Sequence, residues 1–230
     1  MLISVHTPKT GGSSFEAFLK NYFGHQFRED YIENPLFSKA FELLAHNAIL
    51  FNTELNESNR NKYRSQGTYC IHGHFIAHKY SNFLLDENTQ YITWFREPAE
   101  RLASHYNYWQ RADKNTISTP LHQTVIDENW SFERFCLSDE LRNVYSKYLW
   151  NFPVEHFEFI GIYEHYDDDL KYFAQHFLNI TDFDIPKVNV NPLKNGNYSD
   201  GIDFLDELKS FHSEDYILYN YALKKRQERS

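Results

Sequence analysis

The fold of this chain is decided near its start, by the stretch His6-Thr7-Pro8-Lys9-Thr10-Gly11-Gly12-Ser13-Ser14-Phe15. A short apolar run, Leu2-Ile3-Ser4-Val5, comes directly before it, and a helical pattern follows. This order predicts a strand, a tight turn and a helix whose first N–H groups have no partner within the helix. Because these N–H groups and the helix dipole favour negative charge, the stretch predicts a phosphate-binding turn.

The residue types of this turn suit an anion. Gly11 and Gly12 let the backbone approach an oxyanion with no Cβ in the way. Ser13 and Ser14 add hydroxyl donors, and Lys9 adds a positive charge. The spacing differs from the P-loop of NTPases, in which the Lys follows the last Gly. An ordinary glycine-rich turn between a strand and a helix is the alternative.

A second strand, turn and helix is predicted over residues 91–108. Tyr91-Ile92-Thr93-Trp94-Phe95 has the composition of a buried strand, and Pro98 suits the first turn of a helix. Arg96 follows the strand, at the edge of an open α/β sheet where ligands bind. Its planar guanidinium can donate two hydrogen bonds to one phosphate. Three residues near one face of the helix follow at i, i+3 and i+7: Arg101, Ser104 and Tyr108.

Residues 68–75 predict a strand that ends at Gly73 and carries the catalytic candidates. His72 and His74 are two residues apart and therefore face the same side of an extended chain. Neutral imidazole is the side chain best suited to take a proton from a hydroxyl near neutral pH. A structural role is the alternative, because the chain has 12 histidines. A metal site that adds His78 is disfavoured, since no carboxylate or cysteine lies nearby in the sequence.

These segments resemble sulfotransferases that use 3′-phosphoadenosine-5′-phosphosulfate (PAPS). The order Pro-Lys-Thr-Gly-Gly-Ser-Ser at residues 8–14 is similar to their 5′-phosphosulfate loop. Arg-Glu-Pro-x-x-Arg-x-x-Ser-x-Tyr, residues 96–106, is similar to their 3′-phosphate segment. The resemblance is to the Golgi carbohydrate sulfotransferases, the heparan uronosyl 2-O-sulfotransferases and their bacterial relatives. The heparan enzymes have a His-Gly-His or Gly-His pair after the strand that corresponds to residues 68–72.

The resemblance implies an α/β, P-loop-like three-layer fold, with a central, mainly parallel sheet flanked by helices. It implies direct in-line transfer of the sulfuryl group from PAPS to an acceptor hydroxyl, most readily on a carbohydrate, with 3′-phosphoadenosine-5′-phosphate (PAP) as product and no metal. His74, or else His72, is the implied general base, and Lys9 neutralises the charge that develops on the leaving oxygen. The implied nucleotide-binding residues are Lys9, Thr10, Gly11, Gly12, Ser13, Ser14, Arg96, Ser104 and Lys194.

Two later segments resemble the family less closely. Residues 143–149 look like a helix that lines the acceptor side of the cleft, although Tyr145, Tyr148 and Leu149 fit a role in the core equally well. Residues 188–194 resemble a late loop over the nucleotide, from which Lys194 could reach a phosphate. Glu164 is a candidate for an acceptor-site carboxylate or for a role at the start of a helix.

Alternating apolar segments predict the other elements. Strands are predicted near residues 2–6, 68–72, 91–95 and 157–163. Helices are predicted over residues 13–23, with Gly24 as C-cap, from Asp167 onward, and over 204–211 and 214–227. A polar helical region is predicted up to about Tyr63. This alternation predicts a parallel sheet with helices on both faces.

The length and the net charge of the chain limit the classes of protein to which it can belong. The 230 residues suffice for one domain that spans residues 1–230. The formal net charge of −9 argues against a protein that binds nucleic acid or an anionic membrane, and it favours an acceptor that is less charged than heparan. A small basic cleft that holds Lys9, Arg96 and Arg101 is still compatible with this net charge. Cys70 and Cys136 give no sign of a disulfide scaffold.

The pattern of apolar residues predicts no membrane span, because no run approaches the roughly 18 apolar residues that one needs. The first predicted strand begins at Leu2, which leaves no room for a signal peptide. We therefore expect a cytoplasmic protein of bacterial origin.

Two other functions are left open by the residues. A nucleotide-dependent phosphotransferase would need an Mg²⁺-binding carboxylate at a strand end, for which Glu164 is a distant candidate. A non-catalytic nucleotide-binding protein is the other, and Lys9 and the paired histidines argue against it. The acceptor is a small-molecule or glycan hydroxyl whose identity is left open, as is the oligomeric state.

Overall fold

The computed structural model describes residues 1–31, 61, 63, 65–112, 119–186, 188 and 198–229. Within these ranges, five strands form one sheet in the order β2-β3-β1-β4-β5, and every neighbouring pair is parallel. The strands are β1 (Leu2–Val5), β2 (Phe27–Glu29), β3 (Cys70–Gly73), β4 (Gln90–Phe95) and β5 (Phe157–Ile162).

Helices connect the strands and cover the sheet. The α-helices of the described ranges are α1 (Gly12–Phe23), α2 (Pro98–Arg111), α3 (Pro120–Asp127), α4 (Phe132–Cys136), α5 (Val144–Tyr148), α6 (Tyr166–Leu178), α7 (Leu205–Phe211) and α8 (Ser213–Gln227). A 3₁₀ segment spans Ala77–Leu85 after β3. None of the helices in the described part of the chain is long and apolar enough to span a lipid bilayer.

The core has the three layers that the sequence predicts. Ile3 and Val5 of β1 pack on one face of the sheet with apolar side chains of α5 and α8. Leu2 packs on the other face with those of α1 and α6, among them Phe15 and Phe173. All four residues of β1 are buried, which is typical of a strand covered by helices on both sides. A third apolar cluster joins α2, α3, α4 and α7 beside the sheet.

Most predicted elements are confirmed, with boundaries that move by one or two residues. The α/β class, the four predicted strands, the first helix with Gly24 at its end, and the two C-terminal helices are all present. The predicted helical region after Gly24 is wrong at Phe27–Glu29, where the chain forms β2. The reason is physical: β2 is a three-residue edge strand with partly exposed side chains, so it lacks the buried apolar run that marked the others.

The order of the strands places the ends of three strands next to one another. After β1 the chain builds β2 and β3 on one side and then β4 and β5 on the other. Val5, Gly73 and Thr93 are register partners near the carboxyl ends of β1, β3 and β4. Ligands of open α/β sheets bind at such a switch point, so the loops after these three strands are where a site is expected.

Candidate active site

The predicted anion turn lies between β1 and α1. Its backbone is left-handed at Lys9, with φ 71°, and at Gly11, with φ 89°, and α1 begins directly after Gly11. A left-handed lysine is uncommon, and such backbone strain concentrates at ligand-binding turns. The buried hydroxyl of Thr10 donates to the carbonyl of Thr7 at 2.8 Å. Thr10 therefore uses its side chain to shape the turn.

The residues at the start of α1 differ in what they offer to an anion. Gly12 is buried and Ser13 is exposed. The N–H of Ser14 donates to the carbonyl of Gly11 at 3.2 Å. Its hydroxyl accepts from the N–H of Val188 at 2.9 Å and lies 3.3 Å from the Val188 carbonyl. A phosphate that used the Ser14 hydroxyl would have to replace this contact.

Lys9 lies at the turn with its charge directed toward α2. Its Nζ is 4.0 Å from the centre of the exposed Tyr108 ring. Burial, with the positive charges of Arg96 and Arg111, lowers the pKa of Lys9 to about 8. Lys9 therefore still carries its charge at pH 7, and Arg96 is close enough to interact with it electrostatically.

Both glycines of the turn are required by close contacts. A Cβ on Gly12 would lie 1.7 Å from Nε2 of His6, so the histidine ring occupies the space that a side chain would need. A Cβ on Gly11 would lie 2.9 Å from the Tyr163 ring, in addition to the strain of its positive φ. The sequence analysis attributed both glycines to approach by the ligand, whereas the structure adds packing against neighbouring rings.

The contact between Gly12 and His6 predicts that a methyl group added at Gly12 destabilises the fold. We expect Gly12→Ala to lower the free energy of unfolding by about 1–3 kcal/mol, the usual cost of overpacking a buried site. His6→Ala empties the space, so Gly12→Ala should cost little in that background. Urea unfolding of the wild type, both single variants and the double variant measures the difference. An equal cost in the two backgrounds would contradict the contact.

Arg96 is buried at the end of β4 and held from several sides. Its Nη2 is 3.2 Å from Oε2 of Glu100, one helical turn away. The guanidinium lies 4.5 Å from the centre of the Tyr163 ring and 5.6 Å from that of Tyr198. The hydroxyl of Tyr145 accepts from the Arg96 N–H at 2.9 Å and donates to its carbonyl at 2.5 Å. One phenol thus fixes both backbone groups of the predicted phosphate-binding arginine.

The other oxygen of the Glu100 carboxylate binds a distant segment. Oε1 of Glu100 accepts from the N–H of Ser199 at 2.8 Å and from its hydroxyl at 3.1 Å. Ser104 lies one turn further along α2 and is half-buried. The chain after residue 197 is therefore tied to the helix that carries Ser104 and that begins two residues after Arg96.

The position of Arg101 differs from the expectation that it lies in the nucleotide cleft. Its side chain is fully buried, and its guanidinium lies 5.7 Å from the centre of the Tyr145 ring. Its charge acts on the buried carboxyl of Asp215 in α8, whose pKa is raised to about 6 by burial and lowered in part by Arg101. Arg101 therefore belongs to the packing of α2 against α5 and α8, where a buried negative charge attracts it.

Three histidines cluster beside the anion turn. His6 lies 5.0 Å from His72 and 4.5 Å from His74, measured between ring centres. His72 is 1% exposed, and its Nδ1 is 2.8 Å from the hydroxyl of Ser4. His74 is partly exposed. The Nε2 atoms of His72 and His74 are buried and have no hydrogen-bond partner among the described residues.

His6 is the member of this cluster that the sequence analysis did not single out. It follows β1 as His74 follows β3, and the register pairs Val5 with Gly73. Residues that follow paired positions of parallel strands lie side by side, so knowledge of the pairing would have predicted the contact. The pattern of the sequence alone does not give that pairing.

The histidines of the cluster are held neutral. Burial, followed by the nearby His74, His72 and Lys9, lowers the pKa of His6 well below its usual value. Burial lowers the pKa of His72 to about 3 and that of His74 to about 4, and the charge of Glu16 opposes both shifts. Neutral imidazoles retain a nitrogen lone pair, so the cluster can accept a proton at neutral pH. No group of three or more His, Cys, Asp or Glu in the described ranges is arranged to hold a metal ion.

The remaining candidates lie elsewhere or outside the described residues. Tyr145, Tyr148 and Leu149 are buried in the core, where Tyr145 supports Arg96. Glu164 accepts from the N–H of Glu97 at 3.0 Å and from the hydroxyl of Tyr219 at 3.2 Å, which favours its structural role. His78 contacts Trp150 and Asn151. Lys194 lies outside the described residues, as do residues 189–193 of its predicted loop.

The family of the chain follows from a comparison with known proteins. A family model described as a sulfotransferase domain matches residues 2–210, and the chain belongs to this family of transferases. The crystal structure of a sulfotransferase from Alicyclobacillus acidocaldarius is similar, with 15% sequence identity, a TM-score of 0.46, and coverage of 94% of this chain and 92% of that chain. No curated protein matches the chain.

Proposed function

We propose that this sulfotransferase transfers the sulfuryl group of PAPS to an acceptor hydroxyl, most readily a hydroxyl of a carbohydrate. One arrangement carries the proposal: a cationic anion turn after β1, a neutral histidine cluster after β1 and β3, and a buried arginine after β4 meet at adjacent strand ends. These three parts supply a phosphate site, a proton acceptor and a second phosphate site.

The donor's two phosphate groups have separate partners in this proposal. The start of α1 and Lys9 bind the 5′-phosphosulfate, because N–H groups and positive charge converge at the turn. Arg96 and Ser104 bind the 3′-phosphate. The guanidinium of Arg96 is already held by Glu100 and lies over the Tyr163 ring, so little side-chain entropy is lost when it binds a phosphate. Recognition of the 3′-phosphate distinguishes PAPS from ATP.

The chemical step needs one base and one cation. The acceptor oxygen attacks sulfur as the bond from sulfur to the phosphate oxygen breaks, and PAP leaves. We assign the base to His74 rather than His72, because His74 is partly exposed whereas His72 is 1% exposed and bound to Ser4. Lys9 stabilises the negative charge that grows on the leaving phosphate oxygen.

The charge near the cluster favours an acceptor that is not polyanionic. Glu16 and Glu29 both pair with Lys20, and Asp30 pairs with Lys79 at 2.7 Å. The chain carries a formal net charge of −9. A neutral glycan or another uncharged hydroxyl compound meets less repulsion there than a heparan chain would.

Calorimetric titration with PAP, ADP and 5′-AMP tests the donor site. We expect PAP to bind most tightly, and Arg96→Ala to weaken it at least about 30-fold, or about 2 kcal/mol, because a buried charge pair is lost. Arg134→Ala is the control, since Arg134 is an exposed arginine that pairs with Glu128. Equal affinity for ADP and PAP would reject the PAPS proposal and favour a phosphotransferase.

A further inference from the structure

The histidine cluster is connected to a carboxylate through a tyrosine. The hydroxyl of Tyr31 donates to Oε2 of Glu16 at 2.6 Å and lies 3.2 Å from Nδ1 of His6. Tyr31 has one hydroxyl proton, and Glu16 accepts it. The bond to His6 must therefore run from the Nδ1–H of the histidine to the tyrosine oxygen. This assigns the tautomer of His6, whose Nε2 then carries the lone pair beside Gly12.

Tyr31 also contacts His72, which lies in β3, and His74, which follows it. Its ring stands edge-on to that of His74, with 4.8 Å between ring centres, and lies 6.2 Å from that of His72. One side chain thus touches the whole cluster and binds a carboxylate at its other end. The pKa of His74, which burial lowers, is raised in part by Glu16, as electrostatic attraction between an imidazolium and a carboxylate requires.

We propose that Glu16, held in place by the hydroxyl of Tyr31, is a positioning residue that compensates the charge formed on His74 during the reaction. The inference rests on the proposed function, in which His74 takes the proton of the acceptor hydroxyl. That proton converts a neutral, partly buried imidazole into an imidazolium, which this degree of burial makes unfavourable. The negative charge of Glu16 lowers this cost, and the proton later leaves to solvent.

The other charged groups around the cluster do not provide the same connection. Lys20 of α1 lies 2.6 Å from Glu16 and also pairs with Glu29 of β2, so one cation is shared by two carboxylates. Asp30 accepts from the hydroxyl of Tyr80 at 2.7 Å and pairs with Lys79. Other titratable groups of the described residues that face the cluster come from the anion turn, β3, α2 and α5: Lys9, His6, His72, His105 and Tyr148.

Titration of the histidine side chains by NMR, in the full chain without donor or acceptor, tests the inference directly. We expect Glu16→Gln to lower the pKa of His74 by about half a unit to one unit, because the imidazolium loses its counter-charge. Glu29→Gln is the matched control: it removes a carboxylate that also pairs with Lys20 but has no bond to Tyr31. The His74 signal is assigned by its loss in His74→Ala.

Kinetics supply the second measurement. A base weaker by up to one pKa unit should lower kcat by up to about tenfold, with the KM for PAPS unchanged. The acidic limb of the kcat/KM profile should move to lower pH. Tyr31→Phe removes the hydrogen bond that holds the Glu16 carboxylate in place, so Glu16→Gln should cost less further kcat in that background than in the wild type. Loss of general stability would instead change KM and the unfolding temperature along with kcat.

The outcomes separate this inference from the proposed function. A His74 titration in Glu16→Gln that matches Glu29→Gln and the wild type overturns the inference, even if His74→Ala is inactive. Fully additive effects of Glu16→Gln and Tyr31→Phe on kcat overturn it as well. A shifted titration together with full activity of His74→Ala overturns the base assignment of the proposed function instead.

Discussion

Replacement of His74 by alanine is expected to lower kcat by about 10²- to 10⁴-fold, the usual contribution of a general base. Of the two histidines in residues 68–75, His74 is partly exposed and His72 is buried, and both rings are neutral at pH 7, so His74 is the one that an acceptor can reach. The KM for PAPS should change little, because the donor is held by the anion turn and by Arg96. Steady-state kinetics with saturating donor measure the loss.

Two other histidines provide the comparison for this variant. His78→Ala should leave kcat unchanged, since His78 contacts Trp150 and Asn151 outside the cluster. His72→Ala should mainly lower the unfolding temperature, because it removes a buried ring and leaves the hydroxyl of Ser4 without its partner. Activity of His74→Ala within a few-fold of wild type would exclude it as the base.

The pH dependence gives the same assignment a second readout. Burial lowers the pKa of His74 to about 4, so the free base persists well below the usual histidine range. We therefore expect kcat/KM to hold from neutral pH to about pH 5 and to fall as pH approaches 4, where the imidazole of the free enzyme becomes protonated. A fall centred near pH 6.5 would indicate an unburied histidine as the base.

The parts of the site that were predicted from the sequence are those whose chemistry is local. The anion turn needs only a strand, a glycine-containing turn and a helix start, all within residues 2–23, and these elements are present. The segment around Arg96 is of the same kind, because a buried strand, a Pro at the helix start and an arginine between them are contiguous. The order of residues within each segment is therefore enough to predict the position of each site residue along its own strand, turn or helix.

The parts that were missed depend on which elements pack together. Arg101 has the helical spacing of a cleft residue, yet α5 and α8 pack against its side and bury it. Tyr145 fits a core or an acceptor site equally well until its hydroxyl is seen to bind the backbone of Arg96. The roles of His6 and Glu16 depend on contacts between elements: the pairing of β1 with β3 brings His6 to the cluster, and Tyr31 binds Glu16. Nothing in the spacing of one segment specifies its contact with another.

Replacement of Lys9 by methionine is expected to lower kcat by about 10²- to 10³-fold, with a smaller loss of PAP affinity. Negative charge on the leaving phosphate oxygen increases as the bond to sulfur breaks, so the ammonium interacts more strongly with the transition state than with bound PAPS. Methionine keeps the length of the side chain at a backbone position with φ 71°, which separates loss of charge from loss of the turn. Lys224→Met, at the exposed end of α8, is the control.

Because Lys9 must be positively charged to act, its pKa sets an upper pH limit for the activity. Burial and the charges of Arg96 and Arg111 lower it to about 8, so the ammonium is lost as pH rises through that value. We expect the kcat/KM for PAPS of the wild type, which reports groups of the free enzyme, to fall above about pH 8. Together with the limb of His74 near pH 4, this gives a bell-shaped profile. Lys9→Arg keeps a positive charge throughout this range, so the alkaline fall should be absent, whereas a fall that persists in Lys9→Arg would assign that limb to another group.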